Sequence, residues 1–202
     1  MAQGRLIVIE GIDGAGTTTQ TRLLVEWLNG SGRPAHATRE PSDGPVGRLL
    51  REIVRGGHGE VSGATMALLF AADRMDHLAR EIEPELARGR HVVSDRYYHS
   101  SLAYQSEESE RAFVEALNAH ARRPDLTFLL EVSARDAAAR RARAGRAVER
   151  YDGPLLQERI AKNYAALAAR LAGRERIVVV PGAAPIEEVQ RVLRTEVDTL
   201  CG

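Results

Sequence analysis

The stretch Leu6-Ile7-Val8-Ile9-Glu10-Gly11-Ile12-Asp13-Gly14-Ala15-Gly16-Thr17-Thr18-Thr19 decides the fold. Its first four residues form an unbroken apolar run ended by Glu10-Gly11, which reads as a strand buried on both faces, the kind found in a parallel sheet. It is expected at the centre of that sheet. The glycines that follow let the backbone curl until successive N–H groups converge on an anion, and the next helix adds its positive N-terminal end. Leu23, Leu24, Trp27 and Leu28 recur with helical spacing and are closed by Asn29-Gly30-Ser31-Gly32, so a helix is expected over about 18–28. The loop matches G-x-x-x-x-G-K-[ST] at Gly11, Gly16 and Thr18, whose hydroxyl is the usual Mg²⁺ position. Thr17, however, stands where the lysine belongs.

The same alternation continues outward. Strands are expected at 35–38, 91–94, 126–131 and 177–180. Helices are expected at 46–55, at 62–88 with a kink near Pro84, at 107–121, at 134–144, at 154–171 and at 186–199. Five strands alternating with helices indicate a three-layer α/β fold with a parallel sheet. No internal repeat or low-complexity tract competes with this reading.

At 202 residues the chain is expected to be one domain, with room for a small lid. Its 44% hydrophobic and 28% charged residues exclude disordered, collagen-like and coiled-coil classes. Lys+Arg 28 balances Asp+Glu 28, so no bulk field draws it to nucleic acid or to an anionic membrane, and any anion site must be local. Lys162 is the one lysine; every other basic residue of that set is arginine. The one cysteine, Cys201, cannot make an intrachain disulfide, and the N-terminal apolar run is too short for a signal peptide or a span. A cytoplasmic protein is expected.

A second acidic position closes another apolar strand in Val92-Val93-Ser94-Asp95-Arg96-Tyr97. Strand C-termini of parallel sheets open onto the ligand crevice, so Asp95 and Arg96 should face the loop. There Asp95 can hold Mg²⁺ through water, and Arg96 offers a planar fork to a phosphate.

Read together, Glu10 to Gly16, Arg39-Glu40-Pro41, Leu69-Phe-Ala-Ala-Asp-Arg74 with His77, and Asp95-Arg-Tyr97 followed by Ser100 and Ala103-Tyr-Gln105 resemble the thymidylate kinase family over essentially the whole chain. That resemblance implies the nucleoside monophosphate kinase variant of the P-loop NTPase fold, with five parallel strands in the order 2-3-1-4-5. It implies ATP-dependent phosphorylation of dTMP to dTDP for dTTP synthesis, Mg²⁺ as cofactor, ATP as co-substrate, and a homodimer packed through the long helices. Gly11, Asp13, Gly14, Ala15, Gly16, Thr17, Thr18 and Thr19 would bind ATP, with Thr18 and Asp95 on the metal. Phe70 resembles the ring that stacks on thymine, Arg74 the donor to its O4, and Gln105 the residue that reads the base near N3. Tyr104 resembles the residue crowding the 2′ position, with Ser100 beside it. Arg96 and Arg51 resemble the pair that grips the dTMP phosphate, although Arg48 and Arg51 on one helix also suit a solvated basic face. Asp13 and Glu40 resemble the acids near the acceptor.

The arginine-rich stretch Arg140 to Asp152 resembles the mobile lid, placed at about 140–154, that closes over ATP and excludes water. Asp13-Gly14-Ala15 offer no arginine, so the family type whose phosphate-clamping arginine comes from the lid is implied. Arg143 and Arg150 are the candidates, with Arg141 and Arg146 as rivals, and Gly182-Ala183-Ala184 should frame the adenine. Two readings compete with an active dTMP kinase. A kinase for another nucleotide is opposed by Phe70, Arg74 and Gln105 together. A nucleotide-binding module without catalysis is motivated by Thr17, against which an arginine-rich lid can supply the missing charge.

Overall fold

The structure is a computed structural model that describes residues 3–145, 147 and 149–201. Arg146, one of the rival lid arginines, lies outside the described residues. Five parallel strands, β1 (Leu6–Gly11), β2 (Ala35–Arg39), β3 (His91–Asp95), β4 (Leu126–Glu131) and β5 (Ile177–Pro181), form one sheet in the order β2-β3-β1-β4-β5. Each strand expected from the sequence is present, and β1 is buried throughout and central.

Alternation of side chains along β1 builds two cores. Ile7 and Ile9 pack with Leu24 and Leu28 of α1 (Thr17–Gly30) and with Leu193 of α9 (Ile186–Cys201). Leu6 and Val8 face the other side, among Ile82, Leu86, Val114 and Leu167. Burying one such side chain contributes about 1.5–3 kcal/mol, so the three layers hold together without a disulfide.

Register then fixes the site. Ile9 pairs with Asp95 and Gly11 with Leu130, so the loop after β1 and the end of β3 emerge side by side at the sheet's C-terminal edge. The chain runs from β1 outward to β2 and β3, then crosses β1 to reach β4. The crevice opens at that reversal of strand order.

Two expected helices are divided. The helix expected over 62–88 is α3 (Gly63–His77), a π-helical turn at Leu78–Ile82 and α4 (Glu83–Ala87). Pro84 has no N–H to offer the carbonyl of Arg80, and the wider turn carries the chain past that defect. The helix expected over 107–121 is shorter, α6 (Arg111–Asn118), and is preceded by α5 (Tyr98–Tyr104) and a 3₁₀ turn over Gln105–Glu107. The remaining helices, α2 (Pro45–Val54), α7 (Ala134–Arg143) and α8 (Pro154–Leu171), stand where the periodicity puts them.

Candidate active site

Two adjoining cavities occupy the C-terminal edge of the sheet. The first, about 790 Å³, is lined by the loop from Asp13 to Thr19, by Asp95, and by Gly182 to Ala184 after β5. Gly14 and Gly16 adopt φ of 92° and 102°, the left-handed conformation that turns loop N–H groups inward. A Cβ on Gly14 would meet the carbonyl oxygen of Ala137 in α7 at 2.5 Å, so the loop sits directly against that helix. The Thr18 hydroxyl donates to Asp95 Oδ2 at 2.5 Å. Asp95 Oδ1 is buried with no hydrogen-bond partner among the described residues. A carboxylate oxygen left open beside a hydroxyl suits a hard, oxygen-seeking cation, so the chemistry of these residues fits Mg²⁺.

The second cavity, about 220 Å³, is lined by every residue the sequence reading assigned to the acceptor, from Asp13 to Gln105. Arg96 closes the wall between the two. It holds φ 74°, rare for a residue with a Cβ, and from there its Nη2 reaches Asp13 Oδ1 at 2.8 Å while the guanidinium carbon lies 5.2 Å from the Tyr104 ring centre. The Asp13 amide donates to the Tyr104 hydroxyl at 3.1 Å. Arg74, on the inner face of α3, is buried against Glu40 at 2.7 Å and also donates to Ser101 Oγ and to Asn118. Phe70 lies one turn before it on α3 and is half-buried between two core clusters. Gln105 Nε2 reaches the Tyr151 hydroxyl at 3.5 Å. Arg51 donates to the carbonyl of Pro41 at 2.6 Å and pairs with Asp43 at 2.8 Å, and Glu40 precedes Pro41 through a cis peptide bond.

Beneath this cavity lies Glu10, which the sequence reading placed in the strand-end motif and gave no site role. Its carboxylate accepts from the amides of Tyr97 and Ser100, from Ser100 Oγ at 2.7 Å and from the Tyr164 hydroxyl at 2.9 Å. Burial pushes its carboxyl above the usual range, outweighing the charges of His99 and Arg96 and those hydrogen bonds. Glu40 is likewise shared, between Arg74 and His77. Burial opposes the charge of His77, but hydrogen bonds to Glu40 and Glu81 and the charges of both outweigh it, raising His77 to about 9. Glu81 is lowered to about 2, first by its hydrogen bond to His77.

Arg143 and Arg150 line neither cavity. Arg143 is exposed near the end of α7, and Arg150 is paired with Glu108 at 2.9 Å and stacked on Tyr151. The arginines of α7 that meet the phosphate loop are Arg140 and Arg141. Arg140 donates to the carbonyls of Ala15 at 3.1 Å and Gly182 at 2.9 Å. Arg141 donates to the carbonyl of Asp13 and lies 3.2 Å from Asp152. A signal for them was present: Arg140 and Arg141 follow the buried Ala137 by three and four residues and so share its face of the helix, whereas Arg143, six residues on, does not.

A family model described as thymidylate kinase matches residues 9–193. The chain is 37% identical to a probable thymidylate kinase of Thermococcus kodakarensis, covering 97% of this chain and 98% of that one. It is 40% identical to a thymidylate kinase of Leifsonia xyli, covering 96% and 95%. Over 81% of its length it is 43% identical to a probable thymidylate kinase of Pyrobaculum aerophilum, of which it covers 82%.

Proposed function

The chain belongs to the thymidylate kinase family, and on that premise we propose that its two adjoining cavities carry the reaction membership assigns, phosphoryl transfer from ATP to dTMP to give dTDP and ADP. The observation that carries this reading is the shared wall: Asp13, Glu40 and Arg96 line both cavities, so an acceptor phosphate in one meets a donor phosphate in the other.

In the acceptor cavity Phe70 stacks on the thymine, Arg74 donates to O4, and Gln105 faces the N3 edge. Tyr104 and Ser100 bound the sugar, with Asp13 and Glu40 at the acceptor end. An aromatic face beside a cationic donor suits a flat base with carbonyl edges. Arg51 and Arg96 hold the acceptor phosphate in line with the donor. A lone pair on that phosphate forms the new O–P bond as the bond from the γ-phosphorus to its bridging oxygen breaks, and the electron pair leaves with ADP. No general base is needed, because the attacking oxygen is already ionised. Gly11 to Thr19 cradle the ATP phosphates through backbone N–H groups, and Gly182 to Ala184 frame the adenine.

Mg²⁺ held by Thr18 and Asp95 would supply charge neutralisation at the phosphate oxygens. The segment at about 140–154 acts as the lid of a single domain, with Arg143 or Arg150 delivered on closure to the transferred group, where one arginine can be worth roughly 10³ to 10⁵ in rate. A homodimer is supported by the apolar outer face of α3. The cytoplasm, where thiols stay reduced, suits a chain whose one cysteine is Cys201. Among the described residues no helix is long and apolar enough to cross a membrane.

The test is a panel of nucleoside monophosphates with ATP and Mg²⁺, with products resolved by chromatography. The expected outcome is dTDP from dTMP, and a weaker reaction with dUMP, which lacks the methyl contact. Preference for CMP, AMP or GMP would overturn the thymine pocket.

A further inference from the structure

With Thr17 at the lysine position, the phosphate loop has no cation of its own. Among the described residues lining its cavity, the cations are Arg39, Arg96, Arg140 and Arg141. Arg39 and Arg96 line both cavities, but Arg39 is more than half exposed and paired with Asp43 at 3.0 Å, and Arg96 is held by Asp13. Arg140 is strung between the carbonyls of Ala15 and Gly182, two residues that line the donor cavity and not the acceptor cavity, and both contacts occupy its Nη groups. Arg141 stands differently. It lines the donor cavity alone, and its Nη1 donates to the carbonyl of Asp13, the loop residue that lines both cavities, so its guanidinium meets the loop next to the shared wall.

From this position we propose that Arg141 supplies the charge that the loop lysine ordinarily brings, gripping the phosphoryl group as it passes from donor to acceptor. The inference rests on the kinase reaction assigned above and names a residue for it. Three features equip Arg141. Its stem is packed on the loop, since Cγ lies 3.1 Å from where a Cβ on Gly14 would stand. Asp152 holds Nε at 3.2 Å, and the side chain is 11% exposed, so little freedom is left to lose on binding. Of the five N–H donors of the guanidinium, one faces Asp152 and one the Asp13 carbonyl among the described residues, and the others can serve phosphate oxygens. Arg141 makes and breaks no covalent bond. It answers negative charge that is fixed on the donor and redistributed during transfer, from a partly dry site where such contacts are strongest.

The experiment is a double-mutant cycle of Arg141→Ala and Thr17→Lys, read as kcat and dTMP KM from direct chromatography of dTDP. Arg141→Ala should lower kcat by about 10²-fold or more while dTMP KM stays within about threefold, because the contact forms with the transferring group. In the Arg141→Ala background Thr17→Lys should restore kcat at least about tenfold. Arg141→Lys, which keeps the charge, should lose less than Arg141→Ala, and a urea midpoint on each variant separates misfolding from lost chemistry. A kcat for Arg141→Ala within about threefold of native overturns the proposal. A loss that Thr17→Lys does not relieve overturns it equally, since Arg141 would then serve something other than the missing charge. A native chain that binds ATP and forms no dTDP strikes the reaction assigned to it, and the role of Arg141 with it, whereas an active native chain indifferent to Arg141 strikes Arg141 alone.

Discussion

Arg96 reaches Asp13 at 2.8 Å from a backbone held at φ 74°, so the ion pair that divides the two cavities is bound to a conformation a side chain rarely adopts. The conformation follows from the sheet: the amide of Arg96 donates to the carbonyl of Ile9 at 3.0 Å, continuing the β1–β3 ladder one residue past the strand. Strain of this kind costs on the order of 1–3 kcal/mol and persists where the surroundings over-determine it.

That cost can be separated from function. Arg96→Ala and Arg96→Gly should both depress dTDP formation by two orders of magnitude or so, through loss of the acceptor-phosphate contact. Yet Arg96→Gly should unfold at higher urea than Arg96→Ala, by about 1 kcal/mol, because glycine accepts the positive φ. Equal midpoints for the two variants would mean that the turn relaxes and stores no strain.

Phe70 and Arg74 sit four residues apart on the inner face of α3, and the base reading needs both. Phe70→Leu keeps apolar volume but removes the stacking face, so dTMP KM should rise by about 5- to 150-fold, the equivalent of roughly 1–3 kcal/mol for base–aromatic stacking, with a smaller change in kcat. Initial-rate kinetics over a dTMP series would decide it. An unchanged KM would return Phe70 to a purely structural role between the two core clusters it touches.

Much of this was legible because β1, the phosphate loop and the Asp95-Arg96 strand end carry their signals locally, in apolar runs and glycines. Helix α5 was not legible. Its N-cap Tyr97 makes no side-chain cap, and the amides of Tyr97 and Ser100 are satisfied by Glu10, about 90 residues away. A helix whose first turn depends on a distant buried carboxylate leaves no periodic trace of its own. The arginines that meet the loop were hidden for another reason. Composition marks the whole stretch from Arg140 to Arg150 as basic, and within α7 only helix phase relative to Ala137 separates Arg140 and Arg141, which meet the loop, from Arg143.

The His77 network makes stability depend on pH with a definite sign. His77 is raised from 6.5 to about 9, so its contribution is complete below pH 6.5 and is lost as pH rises through about 9. Glu81 is lowered from 4.5 to about 2, so its contribution is present above pH 4.5 and is lost as pH falls towards 2. The two together are strongest between pH 4.5 and 6.5. His77→Gln should therefore flatten the decline in urea midpoint between pH 6.5 and 9 while leaving the protein folded. Parallel midpoint-versus-pH curves for native and variant would show that His77 carries no charge in the fold.

Helix α3 turns one face, with Phe70 and the buried Arg74, to the acceptor cavity and another, apolar face to solvent. Ala64, Leu68, Ala72 and Met75 are exposed at spacings of four, four and three, with Leu68 at 49% and Met75 at 46%. A helix with one face packed and an apolar opposite face belongs between two surfaces, and the described residues supply only one of them. In the proposed homodimer a second copy supplies the other, so that α3 joins the subunit contact to Phe70 and Arg74. Leu68→Glu with Met75→Glu places like charges across a two-fold contact, where each copy meets the same patch of the other. The double variant should sediment as a monomer where the native chain sediments as a dimer. Because α3 would lose its outer support, dTMP KM should rise as well, while ATP KM, set at the phosphate loop, should move much less. A native chain that sediments as a monomer, or a double variant that remains dimeric, would remove α3 from the interface.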